Sequence, residues 1–113
     1  MLACIFCKIV RQELEAEVLH QDDWTIAIRD IRPQSPTHIL VIPRKHIPSL
    51  EDASAEDREL LGHLLLRAQK IAREEKIASG YRLVINNGRS AGQSVFHIHL
   101  HVLGGRGFGW PPG

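Results

Sequence analysis

The sequence predicts an α+β domain built on an antiparallel sheet, and three observations carry that prediction. Five short runs have the alternation or composition of β-strands. One long stretch beginning near Ser54 has the three-and-four spacing of an amphipathic helix. Three of the strand-like runs precede that helix and two follow it, whereas a parallel sheet would alternate strands with helices.

Taken in order, residues 5 to about 12 read as a short helix, because Ile5, Phe6, Ile9 and Val10 fall on one side at helical spacing. The stretch EVLHQDDWTIAIRD reads as two strands joined by a turn at Gln21-Asp22-Asp23, with the length of a hairpin. IRPQSP is a loop, since two prolines so close together exclude helix and central strand. HILVIP is a buried strand that Pro43 ends. Ser54 followed by Asp57 has the pattern of a helix start, and Gly80 marks the expected end. Leu60, Leu61, Leu64, Leu65, Ala68, Ile71 and Ala72 form the apolar face of this helix, with Arg58, Arg67, Lys70, Arg73 and Glu74 largely opposite. The helix is scaffold, and His63 at the margin of its apolar face is expected to have no catalytic role. YRLVINN follows as a fourth strand, GRSAGQS as a loop, and the histidine-bearing segment as a fifth strand.

With 113 residues, the chain reads as one domain over 1–113, with 104–113 as a C-terminal tail, and can bury most of a core without metal or disulfide staples. Hydrophobic residues make up 43% and charged residues 24%, and the formal charge of +1 gives no electrostatic case for nucleic acid or a membrane surface as partner. No apolar run approaches the roughly 18 residues that span a bilayer, and the N-terminus has no basic segment followed by a long apolar one. A cytoplasmic location is the expectation.

Cys4 and Cys7 form a Cys-x-x-Cys pair. A disulfide there would close too short a loop to add much stability, and the cytosol would keep it reduced. A dedicated redox pair is expected beside a β-α-β pattern, which this chain lacks. That favours half of a zinc site or two small buried hydrophobes.

The segment QSVFHIHLHVLGG raises the sharper question. His97, His99 and His101 alternate with Ile98, Leu100 and Val102, so on a strand the imidazoles share one face and the aliphatic residues the other. Packed histidines with satisfied hydrogen bonds suit one such residue and suit three in register poorly. A single metal held by all three is strained: neighbours on one face lie about 7 Å apart and the outer pair about 13 Å, against ligand bonds of about 2 Å. The third explanation is a phosphate-handling site, where a pKa near neutrality lets one imidazole attack while another donates a hydrogen bond or proton. The surroundings favour it. NNGRSAGQS offers small residues whose backbone N–H groups can approach an anion, and Ser94 adds a hydroxyl. His38 opens the HILVIP strand and would bring a fourth imidazole, while Asp30, at a strand end, would accept from ribose hydroxyls or simply cap a turn.

Four segments together, CIFCKIV, RDIRPQSPTHILVIPRKH, NNGRSAGQSVFHIHLHVLGGR and WPPG, resemble the histidine triad (HIT) family, and the ending resembles its branch of histidine triad nucleotide-binding (HINT) proteins. The resemblance implies a protomer with a five-stranded antiparallel sheet, one long and one short helix, paired as a homodimer with a continuous ten-stranded sheet. It implies hydrolysis of a purine nucleoside phosphoramidate to AMP or GMP and an amine through a covalent nucleotidyl-histidine. By matching positions, His99 would be the nucleophile, His101 would bond the phosphate or leaving-group atom, and His97 and His38 would position the phosphate and the nucleophile's ring. Ser94 and the backbone of Gly92 and Gln93 would contact the phosphate and leaving group, Asp30 the ribose, and Asn86 the substrate pocket. Phe6, Ile9, Ile28 and Ile31 would form the purine slot, and Trp110 would lie near the leaving group.

No catalytic metal or cofactor is implied, and the chain lacks the acidic cluster of a magnesium site. Family members that keep the cysteines bind a structural zinc through positions matching Cys4, Cys7, His46 and His97, and reduced buried thiols are the alternative. Gly107-Phe108-Gly109 departs from the HINT pattern, and its two glycines are expected to loosen the tail and leave the leaving group open. Two other functions stand beside the hydrolase: a nucleotide-binding regulatory module with incidental catalysis, and a dinucleoside polyphosphate hydrolase of the same superfamily, against which the ending argues.

Overall fold

Alternation along the strands sorts side chains onto two faces, and each face finds a cover. The computed structural model describes residues 4–113. In chain order it contains α1 (Ile5–Val10), β1 (Val18–Gln21), β2 (Thr25–Arg29), β3 (Thr37–Pro43), α2 (Arg58–Glu74), β4 (Tyr81–Val84) and β5 (Leu100–Gly104). The strands lie in the order β1-β2-β3-β5-β4, every neighbouring pair antiparallel. This is the expected α+β architecture, with one long and one short helix.

Ala27, Ile39, Val41, Leu100 and Val102 face α2 and pack with its Leu64, Ala68, Ile71 and Ala72. The other parity, Ile26, Ile28, Leu40 and Ile42, packs against Phe6 and Ile9 of α1. His38 shares the parity of Leu40 and Ile42 on β3, and His101 is the register partner of Leu40. Both imidazoles therefore stand on the face that α1 covers only in part.

Several boundaries differ from expectation. The histidine segment enters the ladder only at Leu100, because the Ile98 N–H donates to the Ile47 carbonyl at 2.8 Å instead of to a strand. The side-chain alternation persists through this stretch, since Ile98 joins Leu100 and Val102 in the core. Ahead of α2 lies a 3-10 turn over Ala55–Asp57, closed by a capping box in which the Ser54 N–H donates to Asp57 Oδ2 at 3.0 Å. The helix then stops at Glu74, short of Gly80. Lys76 takes the left-handed conformation (φ 62°), and the Ile77 N–H returns to the Ala72 carbonyl at 2.9 Å. Leu65, expected on the apolar face, is 49% exposed, as is neighbouring Leu66 at 65%. On α1, Ile5 is exposed and Cys7 takes its place in the buried set.

Asp22 fastens the hairpin to α2. Its Oδ1 accepts from the N–H groups of Trp24 and Thr25, and its Oδ2 meets His63 at 2.9 Å, His20 at 3.2 Å and Arg67 at 3.2 Å. Burial alone would raise this carboxyl, but the hydrogen bonds from His63, the two backbone amides and His20 hold it well below the usual range. His63 is thus part of a structural junction.

Candidate active site

Two clusters of imidazoles lie on the α1 side of the sheet, and backbone groups fix the protons in both. In the first, the His97 Nε2–H donates to the Pro43 carbonyl at 2.7 Å. The ring is fully buried, and burial lowers its pKa to about 4, with the His46 and His99 charges adding to the effect against the Pro43 hydrogen bond. A neutral ring with its proton on Nε2 presents a bare lone pair at Nδ1. That atom faces Cys4 Sγ at 3.4 Å, Cys7 Sγ at 3.6 Å and His46 Nδ1 at 3.1 Å, and Cys7 Sγ lies 3.2 Å from His46 Nδ1.

These separations suit a metal. Tetrahedral zinc with bonds of about 2.0 to 2.3 Å places its ligand atoms about 3.3 to 3.8 Å apart, and the four donors lie within 4.8 Å of one another. The Pro43 carbonyl supplies the outer hydrogen bond that a ligating histidine ordinarily has. The donor set fits a closed Cys2His2 zinc site, and a bound ion would tie α1 to the segments carrying His46 and His97.

The second cluster joins Asp30, His38 and His101, also within 4.8 Å of one another. Here the Gln34 N–H donates to His38 Nδ1 at 3.0 Å, so the His38 proton sits on Nε2. That proton points to His101 Nδ1 at 2.9 Å, with Asp30 Oδ2 3.4 Å from the same nitrogen. His101 accepts at Nδ1 and therefore carries its own proton on Nε2. A metal at His38 Nε2 would require an imidazolate, because both nitrogens would have to offer lone pairs. The set is built to hold protons, and it fits a metal poorly.

His99 lies between the clusters. Its Nδ1–H donates to the His97 carbonyl at 2.8 Å, which leaves the Nε2 lone pair bare. Phe6 packs edge to face on this ring at 5.0 Å, and the His101 ring lies 5.0 Å away on another side. Burial lowers the pKa of His99, and it lowers His101 to about 4, helped by the charges of His99 and His38 and opposed by Asp30. Burial likewise lowers His38. Burial thus favours the neutral form of each ring, and the backbone gives His99 an acceptor face and His101 a donor face.

The remaining expected site residues are placed less uniformly. Asp30 stands beside His38, but its Oδ1 also accepts from the Arg32 N–H at 2.8 Å, closing a turn. Phe6, Ile9 and Ile28 pack together, whereas Ile31 is 89% exposed and lies outside that cluster. The N–H groups of Gly92 and Gln93 donate to Arg89 and Gly88 within a tight loop, where Gly88 and Gly92 take positive φ. The Gln93 side chain is buried, bonding the Gly88 N–H and the carbonyls of Pro48 and Val95. Of that loop, Ser94 is exposed, and Asn86 is half-buried with its amide next to Gly92. Trp110 is 84% exposed. The tail makes specific contacts around its two glycines: Arg82 donates to the Gly109 carbonyl at 2.7 Å, and the guanidinium groups of Arg82 and Arg106 pack on Phe108 at 5.1 and 4.2 Å.

The backbone donor of Gln34 and the acceptors at Pro43 and His97 were not found from sequence. Main-chain groups carry no side-chain signature, and only the fold shows where they point.

Fold and site together define an antiparallel α+β domain organised around neutral, proton-ordered histidines. The HIT domain family profile matches residues 11–108, and the chain belongs to that family. It is 53% identical over 109 residues to an uncharacterized HIT-like protein of Synechocystis sp., covering 96% of each chain. Among solved structures, a HIT family hydrolase from Legionella pneumophila Philadelphia 1 superposes with a TM-score of 0.96 at 52% identity, over 97% of this chain and 99% of that one. A zinc-bound histidine triad family protein from Mycobacterium smegmatis superposes with a TM-score of 0.81 at 36% identity, over 99% of this chain and 81% of that one. The fold is that of HIT family hydrolases, and no helix among the described residues is long and apolar enough to cross a membrane.

Proposed function

We propose that this protein hydrolyses purine nucleoside 5'-phosphoramidates, releasing AMP or GMP and an amine through a nucleotidyl-His99 intermediate. The observation that carries this reading is the hydrogen bond from His99 Nδ1 to the His97 carbonyl, which leaves Nε2 as a bare, neutral nucleophile. Nε2 attacks the α-phosphorus, and the P–N bond pair departs with the protonated nitrogen as a free amine. The resulting nucleotidyl-imidazolium keeps its Nδ1–H on the His97 carbonyl, which stabilises its charge. His101 Nε2–H, ordered through His38 and the Gln34 amide, donates to a phosphoryl oxygen or the leaving nitrogen. Water then attacks the phosphorus, His99 leaves with its electron pair, and the proton shed by the water replaces the one taken up by the leaving amine.

The pocket assignments follow the same reading. Phe6, Ile9 and Ile28 line the purine slot, Asp30 binds the ribose, and Ser94 and Asn86 meet the phosphate and leaving group. A second copy joins along the edge strand β4, and the exposed Leu65 and Leu66 of α2 offer apolar surface that supports a homodimer. Trp110 then contributes to leaving-group choice, and the protein works in the cytoplasm.

The test is single-turnover mixing with adenosine 5'-phosphoramidate, followed by intact-mass spectrometry after an acid-free quench. An AMP adduct on the wild type, absent from His99→Ala, is expected. Bound AMP with neither adduct nor turnover would replace the hydrolase with a nucleotide-binding module.

A further inference from the structure

The candidate metal centre and the candidate nucleophile share parts. Cys4 caps the N-terminus of α1 and Cys7 lies one turn on, with the Cys7 N–H donating to Cys4 Sγ at 3.4 Å. Both sulfurs point at His97 Nδ1, at 3.4 and 3.6 Å. The carbonyl of that same residue holds the His99 ring. Phe6, between the cysteines in sequence, packs edge to face on both His99 at 5.0 Å and His97 at 6.0 Å. The thiols thus reach the His99 ring along two paths, one through the His97 main chain and one through α1.

We propose that Cys4 and Cys7 are a reversible oxidation site, closed to a disulfide by a hydroperoxide, that controls the order of the His99 ring. The lack of a β-α-β context argues against a dedicated oxidoreductase, and a regulatory pair needs no such context. The two sulfurs already lie within 4.8 Å of one another, and an i, i+3 pair on a helix can close by side-chain rotation. Cys4 is half-buried and Cys7 buried. Cys4 is therefore the sulfur that meets the oxidant.

With hydrogen peroxide, Cys4 sulfur attacks one oxygen, the O–O bond breaks, and water leaves with the thiol proton, giving a sulfenic acid. Cys7 sulfur then attacks that sulfur, the S–O bond breaks, and the second water carries off the Cys7 proton. Two thiols and one peroxide become one disulfide and two waters; in the zinc-bound site the sulfurs are thiolates and solvent supplies the two protons. The sulfurs lose two electrons and the peroxide oxygens gain them.

Closure removes both S–H donors from the buried His97 lone pair and leaves two imidazoles where there were four metal ligands, so bound zinc is released. It also turns the first turn of α1 and shifts Phe6 on the His99 ring. The consequence for catalysis rests on the nucleophile reading of His99, and the structural coupling does not.

The full chain, labelled with 15N-histidine and incubated with zinc sulfate, is exposed to one equivalent of hydrogen peroxide and then to dithiothreitol. Three signals are read: intact mass, zinc captured by a colorimetric chelator, and the His99 Nδ1–H resonance. The expected result is a mass loss of about 2 Da, as a disulfide requires, release of zinc, and loss of the His99 resonance, all reversed by the dithiol. In the Cys4→Ser, Cys7→Ser variant, peroxide leaves the resonance as it was. A disulfide that forms with the His99 resonance unchanged overturns the coupling, and thiols that stay reduced or go to sulfinic acid overturn the site. The reduced wild type is its own folded reference, so a variant that fails to fold costs the test nothing. None of the signals reads turnover, so failure of the hydrolase reading would show separately.

Discussion

The two imidazole clusters contain similar atoms at similar spacings and are suited to different work. Cys4, Cys7, His46 and His97 offer lone pairs to a common point, whereas Asp30 and His101 both face the one proton on His38 Nε2. The difference comes from two backbone groups. A carbonyl at Pro43 takes the Nε2 proton of His97 and frees its Nδ1, while an amide at Gln34 occupies Nδ1 of His38 and keeps the proton on its Nε2. Proximity of ligand-type residues therefore says little until the tautomer is known, and the main chain decides the tautomer.

The largest expected effect tests the proton-holding cluster. His101→Ala should lower turnover of adenosine 5'-phosphoramidate by about 10² to 10⁴-fold, the range for losing a positioned proton donor. His38→Ala should fall toward the lower end, because it orders the donor without touching the phosphate. Steady-state rates on both variants check this, and equal losses would break the assigned order.

Much of this arrangement was legible in the sequence. The period-two run put His97, His99 and His101 opposite Ile98, Leu100 and Val102, and that division holds in the folded chain even where the strand ladder does not. His38 met His101 because a strand beginning at Thr37 gives both the same parity. What could not be read lies in partners rather than patterns. Leu65 fits the helical apolar period, yet it stays half exposed among the described residues. Gly80 looked like the helix stop, but Lys76 accepts the left-handed turn because Ile77 is drawn into the core. The tail glycines suggested slack, and the bond from Arg82 of β4 to the Gly109 carbonyl has no signature in the sequence.

Metal binding tests the other half of the comparison. Zinc at about 100 times its dissociation constant would add about 2.7 kcal/mol of stability, raising the melting temperature by roughly 10 °C in a domain of this size. One ion per chain is expected, and Cys7→Ser should abolish both the shift and the binding. Calorimetry showing a second ion, lost in His38→Ala, would contradict the tautomer argument.

The metal-free chain should also lose stability as the solution is acidified. The folded pKa values of His97 and His101 are depressed to about 4, so the unfolded chain binds the extra protons between the ordinary value near 6.5 and 4. Their stabilising contribution is complete above about pH 6.5 and is lost as pH falls toward 4. Each contributes a slope of up to about 1.4 kcal/mol per pH unit. Denaturant midpoints across this window provide the check, and a flat profile would mean that neither ring is held neutral by the fold.

The smallest effect is the most specific. Gln34→Pro removes the one N–H that holds the His38 tautomer and leaves the carbonyl of residue 34, which accepts from Arg106 at 3.0 Å, in place. With Nδ1 no longer occupied, His38 can carry its proton there in part of the population, while Asp30 and His101 still favour the Nε2–H form that keeps the donor in place; a metal can select the form with an Nε2 lone pair. Turnover should fall only a few-fold, as expected when a positioning bond worth about 1 kcal/mol is lost. The variant should also acquire a property that the wild type lacks, inhibition by zinc at the Asp30, His38 and His101 cluster. Zinc titration of the variant's activity, with circular dichroism to verify the fold, would reveal this. Equal zinc sensitivity in the two proteins would mean that the amide does not select the tautomer, and the distinction between the clusters would then need another cause.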